Sequence, residues 1–131
     1  MSLISRRNVL VAGCATAGVS AAGAPQPKAC PRLAHHALFW LKDPGSQQDL
    51  AMLVGLQSLG NIESVRRIHV GVPASTEGQP IAEPSYSASG LLFFDDRAGQ
   101  SAYDEHPIHR KFLADCSHLW RRVVSYDTVM V

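Results

Sequence analysis

Charge of either sign and cysteine are both scarce in this chain of 131 residues. Twelve Lys and Arg face eleven Asp and Glu, and only 18% of the residues are charged. Removing Arg6 and Arg7, which belong to a leader argued below, leaves ten cations against eleven carboxylates. That balance offers no electrostatic footprint for DNA, RNA or an anionic lipid surface. The three cysteines, Cys14, Cys30 and Cys116, contain no Cys-x-x-Cys pair, which excludes zinc ribbons and thioredoxin-like redox chemistry. No internal repeat occurs at a solenoid period. What is present is ordinary: 46% of the residues are hydrophobic, enough for one globular domain and against disorder.

The first two dozen residues differ from the rest. Ser5-Arg6-Arg7-Asn8-Val9-Leu10 places paired arginines before a weakly apolar stretch, Val9 to Ala24, built from Ala, Gly, Val, Ser and Thr. This resembles a twin-arginine export signal, whose hydrophobic region is mild. The stretch is shorter than the ~20 strongly apolar residues of a bilayer span, so no stable membrane insertion is expected after its removal. Small residues at Ser20 and Ala22 suit cleavage near Ala22, giving a signal over 1–22 and a periplasmic or secreted product. Two alternatives stand beside it: a lipoprotein box at Val11-Ala12-Gly13-Cys14, or an N-terminal helix of the fold. In an oxidising compartment Cys30 and Cys116 either pair or remain as two inert thiols.

Residues 23–32, with Pro25-Gln-Pro-Lys-Ala-Cys-Pro31 at their centre, read as a linker. The domain, 33–131, opens on Leu33 to Lys42, a strand apolar on both faces. Asp43-Pro44-Gly45 turns the chain, and Ser46 with Asp49 forms a capping-box-like pair before a helix. Leu50, Leu53, Val54, Leu56 and Leu59 give that helix its stripe, and Gly60-Asn61 ends it. Val65 to Val72 is a second strand and Tyr86 to Phe94 a third, with a polar loop from Pro73 to Pro84 between them. Asp95-Asp96 caps a short helix to Glu105. Pro107 restarts helix in its first turn, where a missing N–H costs nothing, and the segment runs to about Trp120. Arg122 to Val131 is the last strand.

The order β-α-β-β-α-β is the split βαβ pattern of an α+β, ferredoxin-like fold: an antiparallel sheet with helices on one face. Strands one and three nevertheless carry large apolar residues on both faces, Phe39 and Leu41 against Leu38 and Trp40. Helices cover one face only. Leaving the other wet forfeits roughly 25 cal/mol per Å2 of apolar surface. The simplest solution is a homodimer, two sheets packed face to face as a dimeric α/β barrel, with His36 and Trp40 at the interface.

Several motifs point the same way. His35-x-x-x-Phe39-x-Leu41-Lys42, Phe94-Asp95-Asp96, Tyr103-x-x-His106-Pro107-x-His109 and Val124-x-Tyr126-Asp127 resemble the stress-responsive dimeric α/β barrel domain over residues 33 to 131. One plant branch of that family, olivetolic acid cyclase, closes a linear polyketide by an intramolecular aldol condensation. The resemblance implies a Tyr–His acid/base pair at Tyr103 and His109. It implies a ligand pocket with His35, His106, Phe112 and Trp120, to which Phe39 of the first motif is added. Where that branch has a histidine on strand three, this chain has Ala88, so the polar wall is incomplete.

The residues themselves allow three readings. A phenol and an imidazole in reach of each other can remove and return a proton at an enolisable carbon, as in a lyase or cyclase. The same pocket can bind a small molecule without turnover. Alternatively His106 caps a helix and His109 bonds a strand carbonyl, in a purely structural oligomer. Six histidines raise the question of a metal, but their spacing matches no zinc signature, and neither a metal nor a cofactor is expected. For lack of any substrate signal, small-molecule binding ranks above turnover.

Overall fold

The computed structural model describes residues 29–74 and 78–131; the segment expected to be an export signal and most of the expected linker lie outside the described residues. The order is β1 (Leu33–Leu41), α1 (Gln47–Ser58), β2 (Arg67–Gly71), β3 (Ala88–Phe94), α2 (Arg97–Glu105), α3 (Pro107–Cys116) and β4 (Trp120–Val129). The strands form one sheet in the order β2-β3-β1-β4, and every neighbouring pair is antiparallel. This is the ferredoxin-like α+β architecture expected, with the helices on one face.

Local chemistry explains the starts and stops. Ser46 Oγ accepts from the Gln48 N–H at 3.1 Å and caps α1. Asp49 does not complete the box with Ser46; its Oδ2 takes the N–H of Gly45 at 2.7 Å. Gly45 stands at φ +86°, a conformation only glycine adopts cheaply, and that turn brings its N–H to the carboxylate. Asp96 Oδ1 accepts from the Gly99 N–H at 2.9 Å, as an α2 cap should.

The α1 stripe differs from the one read in the sequence. Met52, Leu56 and Leu59 are the buried residues, while Leu50 and Val54 are 66% and 56% exposed. At 100° per residue, Leu50 and Val54 each lie about 160° from Met52 around the helix, so both sets cannot face inward. Met52 and Leu56 join Leu33, Leu92 and Phe94 in a core below 2% exposed, each side chain contributing roughly 1.5–3 kcal/mol. Gly55 lets α3 approach: a Cβ there would stand 2.6 Å from Cys116 Sγ.

The last boundary also shifts. α3 stops at Cys116, a 3-10 turn spans Ser117–Leu119, and Trp120 opens β4 rather than closing the helix. Trp120 pairs with Leu41 across an irregularity in register at Trp40 and Leu41, and the Lys42 N–H donates to the Leu119 carbonyl at 2.9 Å. Cys30 is exposed, Cys116 is buried, and both are free thiols.

Alternation along the strands divides the sheet. His35, Ala37, Phe39, Ala88, Leu92 and Asp127 share the face under the helices. His36, Leu38, Trp40, Leu91, Phe93, Val124 and Tyr126 share the other, where no helix lies. Trp40 on that face is already 8% exposed. Its Nε1–H donates to Ser85 Oγ at 2.9 Å, and the Arg122 guanidinium stands 4.4 Å over the ring. The open apolar area therefore centres on Leu38, Leu91 and Phe93. Among the described residues no helix is long and apolar enough to cross a membrane.

Candidate functional site

A cavity of about 200 Å3 lies between the helices and the sheet. Phe39, Leu92, Phe112 and Trp120 supply its apolar walls, and Tyr103, His109 and His35 its polar ones. The aromatic side is tightly built, with ring centroids 5.0 Å apart for Phe39 and Trp120 and 5.8 Å for Phe112 and Trp120. A wider groove of about 420 Å3, between Cys30, Arg67, Phe93 and Met130, lies away from these groups.

Tyr103 sits in the last turn of α2, its ring 5.3 Å from that of Phe94 in the core. Burial, and then the Asp104 carboxylate beside it, push its phenol well above the usual range. It therefore stays protonated through neutral pH and keeps a hydrogen that it can donate. The break at Pro107 turns the chain so that His109, in the first turn of α3, lays its ring 4.3 Å from that of Tyr103. His109 Nδ1 donates to the Asp104 carbonyl at 3.0 Å. That carbonyl belongs to the last turn of α2 and lacks an intrahelical partner, so the histidine completes the helix end. A carbonyl only accepts, which puts the hydrogen on Nδ1 and leaves Nε2 with its lone pair.

His35 is held the same way from another direction. In β1 it lies opposite Asp127 of β4, and its Nδ1 donates to Asp127 Oδ1 at 2.6 Å. Gln100 of α2 donates to the same oxygen from Nε2 at 3.1 Å, while its Oε1 accepts from Arg97 Nη1 at 3.0 Å. The His35 ring stands 6.1 Å from that of Tyr103.

The structure thus brings together Tyr103, His109, His35, Phe39, Phe112 and Trp120. His106 lies outside the cavity lining. Its Nδ1 accepts the Ile108 N–H at 3.1 Å as the cap of α3, and its Nε2 faces Glu63 Oε2 at 3.4 Å. His109 bonds a helix carbonyl rather than a strand carbonyl. Two participants escaped the sequence reading. Asp127 appeared there only as part of a strand motif, although antiparallel register alone sets it against a β1 residue. Gln100 lies three residues before Tyr103, on the inward stripe of α2, where a polar residue is itself a signal. Among the described residues no group of three or more His, Cys, Asp or Glu is placed to hold a metal ion.

Fold and cavity together define a ferredoxin-like α+β domain with a small cavity beneath its helices. Residues 33–130 match the family model of the stress responsive A/B barrel domain, and the chain belongs to that family. No curated protein matches the chain. Among solved structures it is similar to a Dabb family protein with a ferredoxin-like fold from Mesorhizobium loti, at 22% identity and a TM-score of 0.64, covering 77% of this chain and 98% of that one. A dimeric ferredoxin-like protein of unknown function from Thermobifida fusca gives 22% identity and a TM-score of 0.63, covering 77% and 92%. A hydroxynitrile lyase from Passiflora edulis gives 15% identity and a TM-score of 0.59, covering 77% and 95%. At these identities the likeness is one of fold.

Proposed function

We propose that the protein is exported and acts as a homodimeric barrel that binds a small uncharged molecule in the Tyr103–His109–His35 cavity. One observation carries the reading. Two imidazoles each have Nδ1–H committed to an oxygen, at Asp104 and Asp127, and both line a cavity shared with a protonated phenol. The volume of about 200 Å3 is below the ~300–1,000 Å3 of common ligand pockets, so the ligand is small. Neither Lys nor Arg lines the cavity, Asp104 is among the residues that do, and the Asp127 carboxylate is bonded to the lining residue His35. An anion entering there would be desolvated without a partner. Support for the dimer comes from the two-faced sheet and from similar folds described as dimeric. Support for export comes from Arg6 and Arg7 ahead of a mild apolar stretch.

The arrangement of Tyr103 and His109 favours a second reading, turnover by proton transfer. With a carbonyl oxygen against the Tyr103 hydroxyl, His109 Nε2 takes a proton from the adjacent carbon. The electron pair of that C–H bond becomes the C=C bond of an enolate, the carbonyl π pair moves onto oxygen, and the Tyr103 O–H donates a hydrogen bond to that oxygen. A similarly folded hydroxynitrile lyase agrees with such a chemistry without assigning it.

Acetophenone, an uncharged enolisable ketone, tests both readings, with benzoate as the charged control. In D2O at neutral pH, acetophenone should cause saturable shifts in the NMR signals of Tyr103, His109 and Phe112, and benzoate should not. Equal response to both ligands, or to neither, contradicts the binding reading. Deuterium entering the acetophenone methyl group faster than with His109→Ala establishes turnover. Equal rates leave binding as the function.

A further inference from the structure

Gln100 is the one buried polar residue among the described residues, at 5% exposed. Both ends of its amide are engaged. Arg97 has only donors, so its Nη1, 3.0 Å away, fixes the amide oxygen on its own side and turns the NH2 group toward Asp127. Asp127 Oδ1 then receives two donors, Gln100 Nε2 at 3.1 Å and His35 Nδ1 at 2.6 Å. Both donors converge on one oxygen, which is why Gln100 Nε2 and His35 Nδ1 approach to 3.5 Å without bonding each other. Asp127 stands on the edge strand β4 with its side chain 40% exposed, so water competes for that carboxylate.

We propose that Gln100, oriented by Arg97, is a positioning residue that holds Asp127 over His35 and thereby sets which imidazole nitrogen carries the proton. The inference deepens the site reading above, since it matters to a ligand only if His35 serves the cavity. Without the Gln100 donor, the Asp127 carboxylate is held by His35 alone and turns outward to water. His35 then loses the acceptor that keeps its hydrogen on Nδ1, and the lone pair at Nε2 is no longer fixed. The placement is economical in space: Gln100 lies one helical turn before Tyr103, so a single stripe of α2 carries both the phenol and the group that sets the imidazole.

His109 provides an internal reference, because its Nδ1 acceptor is the backbone carbonyl of Asp104 and owes nothing to Gln100. The test is long-range 15N–1H NMR on protein labelled at histidine, recorded above the titration range of imidazole. In the unmutated protein both His35 and His109 should show the Nδ1–H form. In Gln100→Met, of similar size but without a donor, His35 should lose that form while His109 keeps it. Arg97→Ala removes an exposed residue that the core does not need, and should produce the same loss at His35. A folded Gln100→Met in which His35 remains Nδ1–H overturns the proposal. If Gln100→Met does not fold, an unchanged His35 in Arg97→Ala overturns it. A simultaneous change at His109 would mean general loosening of α2 and would also overturn it. A positive tautomer result together with no acetophenone binding would leave the positioning role standing and sink the binding reading alone.

Discussion

His36 follows His35 in β1 and, by strand alternation, faces the opposite side of the sheet, where its Nε2 hydrogen-bonds Ser89 Oγ at 3.0 Å. Burial, and then the charge of His35 beside it, hold its imidazole below the ordinary value of 6.5. The folded chain thus resists protonating His36 while the unfolded chain does not. The stability it contributes is complete above pH 6.5 and is lost as pH falls from there through the lower folded value. Urea unfolding over a pH series should show the unmutated protein losing stability below about pH 6.5 more steeply than His36→Gln. Parallel curves would contradict the assignment. Residue type was legible at these positions, and the tyrosine–histidine spacing rightly brought Tyr103 and His109 into contact. The partners of each nitrogen were not legible. They depend on strand register at Asp127 and on a helix end at Asp104, neither of which is local in the way a motif is.

The helix break shows how one residue serves two elements. His106 has extended backbone, φ −68° and ψ 141°, and is at once the end of α2 and the cap of α3. Its N–H closes on the Tyr103 carbonyl at 3.1 Å, and its ring nitrogen takes the Ile108 N–H. Pro107 fills the next position, where no donor is required. His106→Ala should destabilise the protein by about 1 kcal/mol, the usual cost of deleting a cap, and His106→Asn should retain most of that stability. Equal losses in both variants, measured by urea unfolding, would show that the approach of His106 Nε2 to Glu63 rather than capping is the main effect. The existence and order of the elements followed from alternation, caps and proline. Boundaries followed less well: Trp120 looked like the last inward residue of a helix because aromatic spacing is shared by both element types. Leu50 and Val54 misled for a similar reason, since leucine counts as apolar wherever it points.

The molecule as a whole presents one face that its own helices do not cover. Leu38, Leu91 and Phe93 form the middle of that face, with Tyr126 60% exposed beside them on β4. A second copy closing over it would complete a barrel and place both cavities on the outer sides, beneath the helices. Two-faced apolar strands made this legible in the sequence. The coverage of Trp40 by Ser85 and Arg122 was not, because it depends on a loop distant in sequence. Leu38→Asp would put a charge in the middle of the closed face at a cost of several kcal/mol, and should prevent assembly. The most direct measurement is native mass spectrometry of the protein recovered from the periplasm of a Gram-negative host. The expected mass is that of two chains, each beginning near Gly23, and Leu38→Asp should yield single chains or aggregate. A folded single chain from the unmutated protein would contradict the barrel, and chains still beginning at Met1 would contradict export.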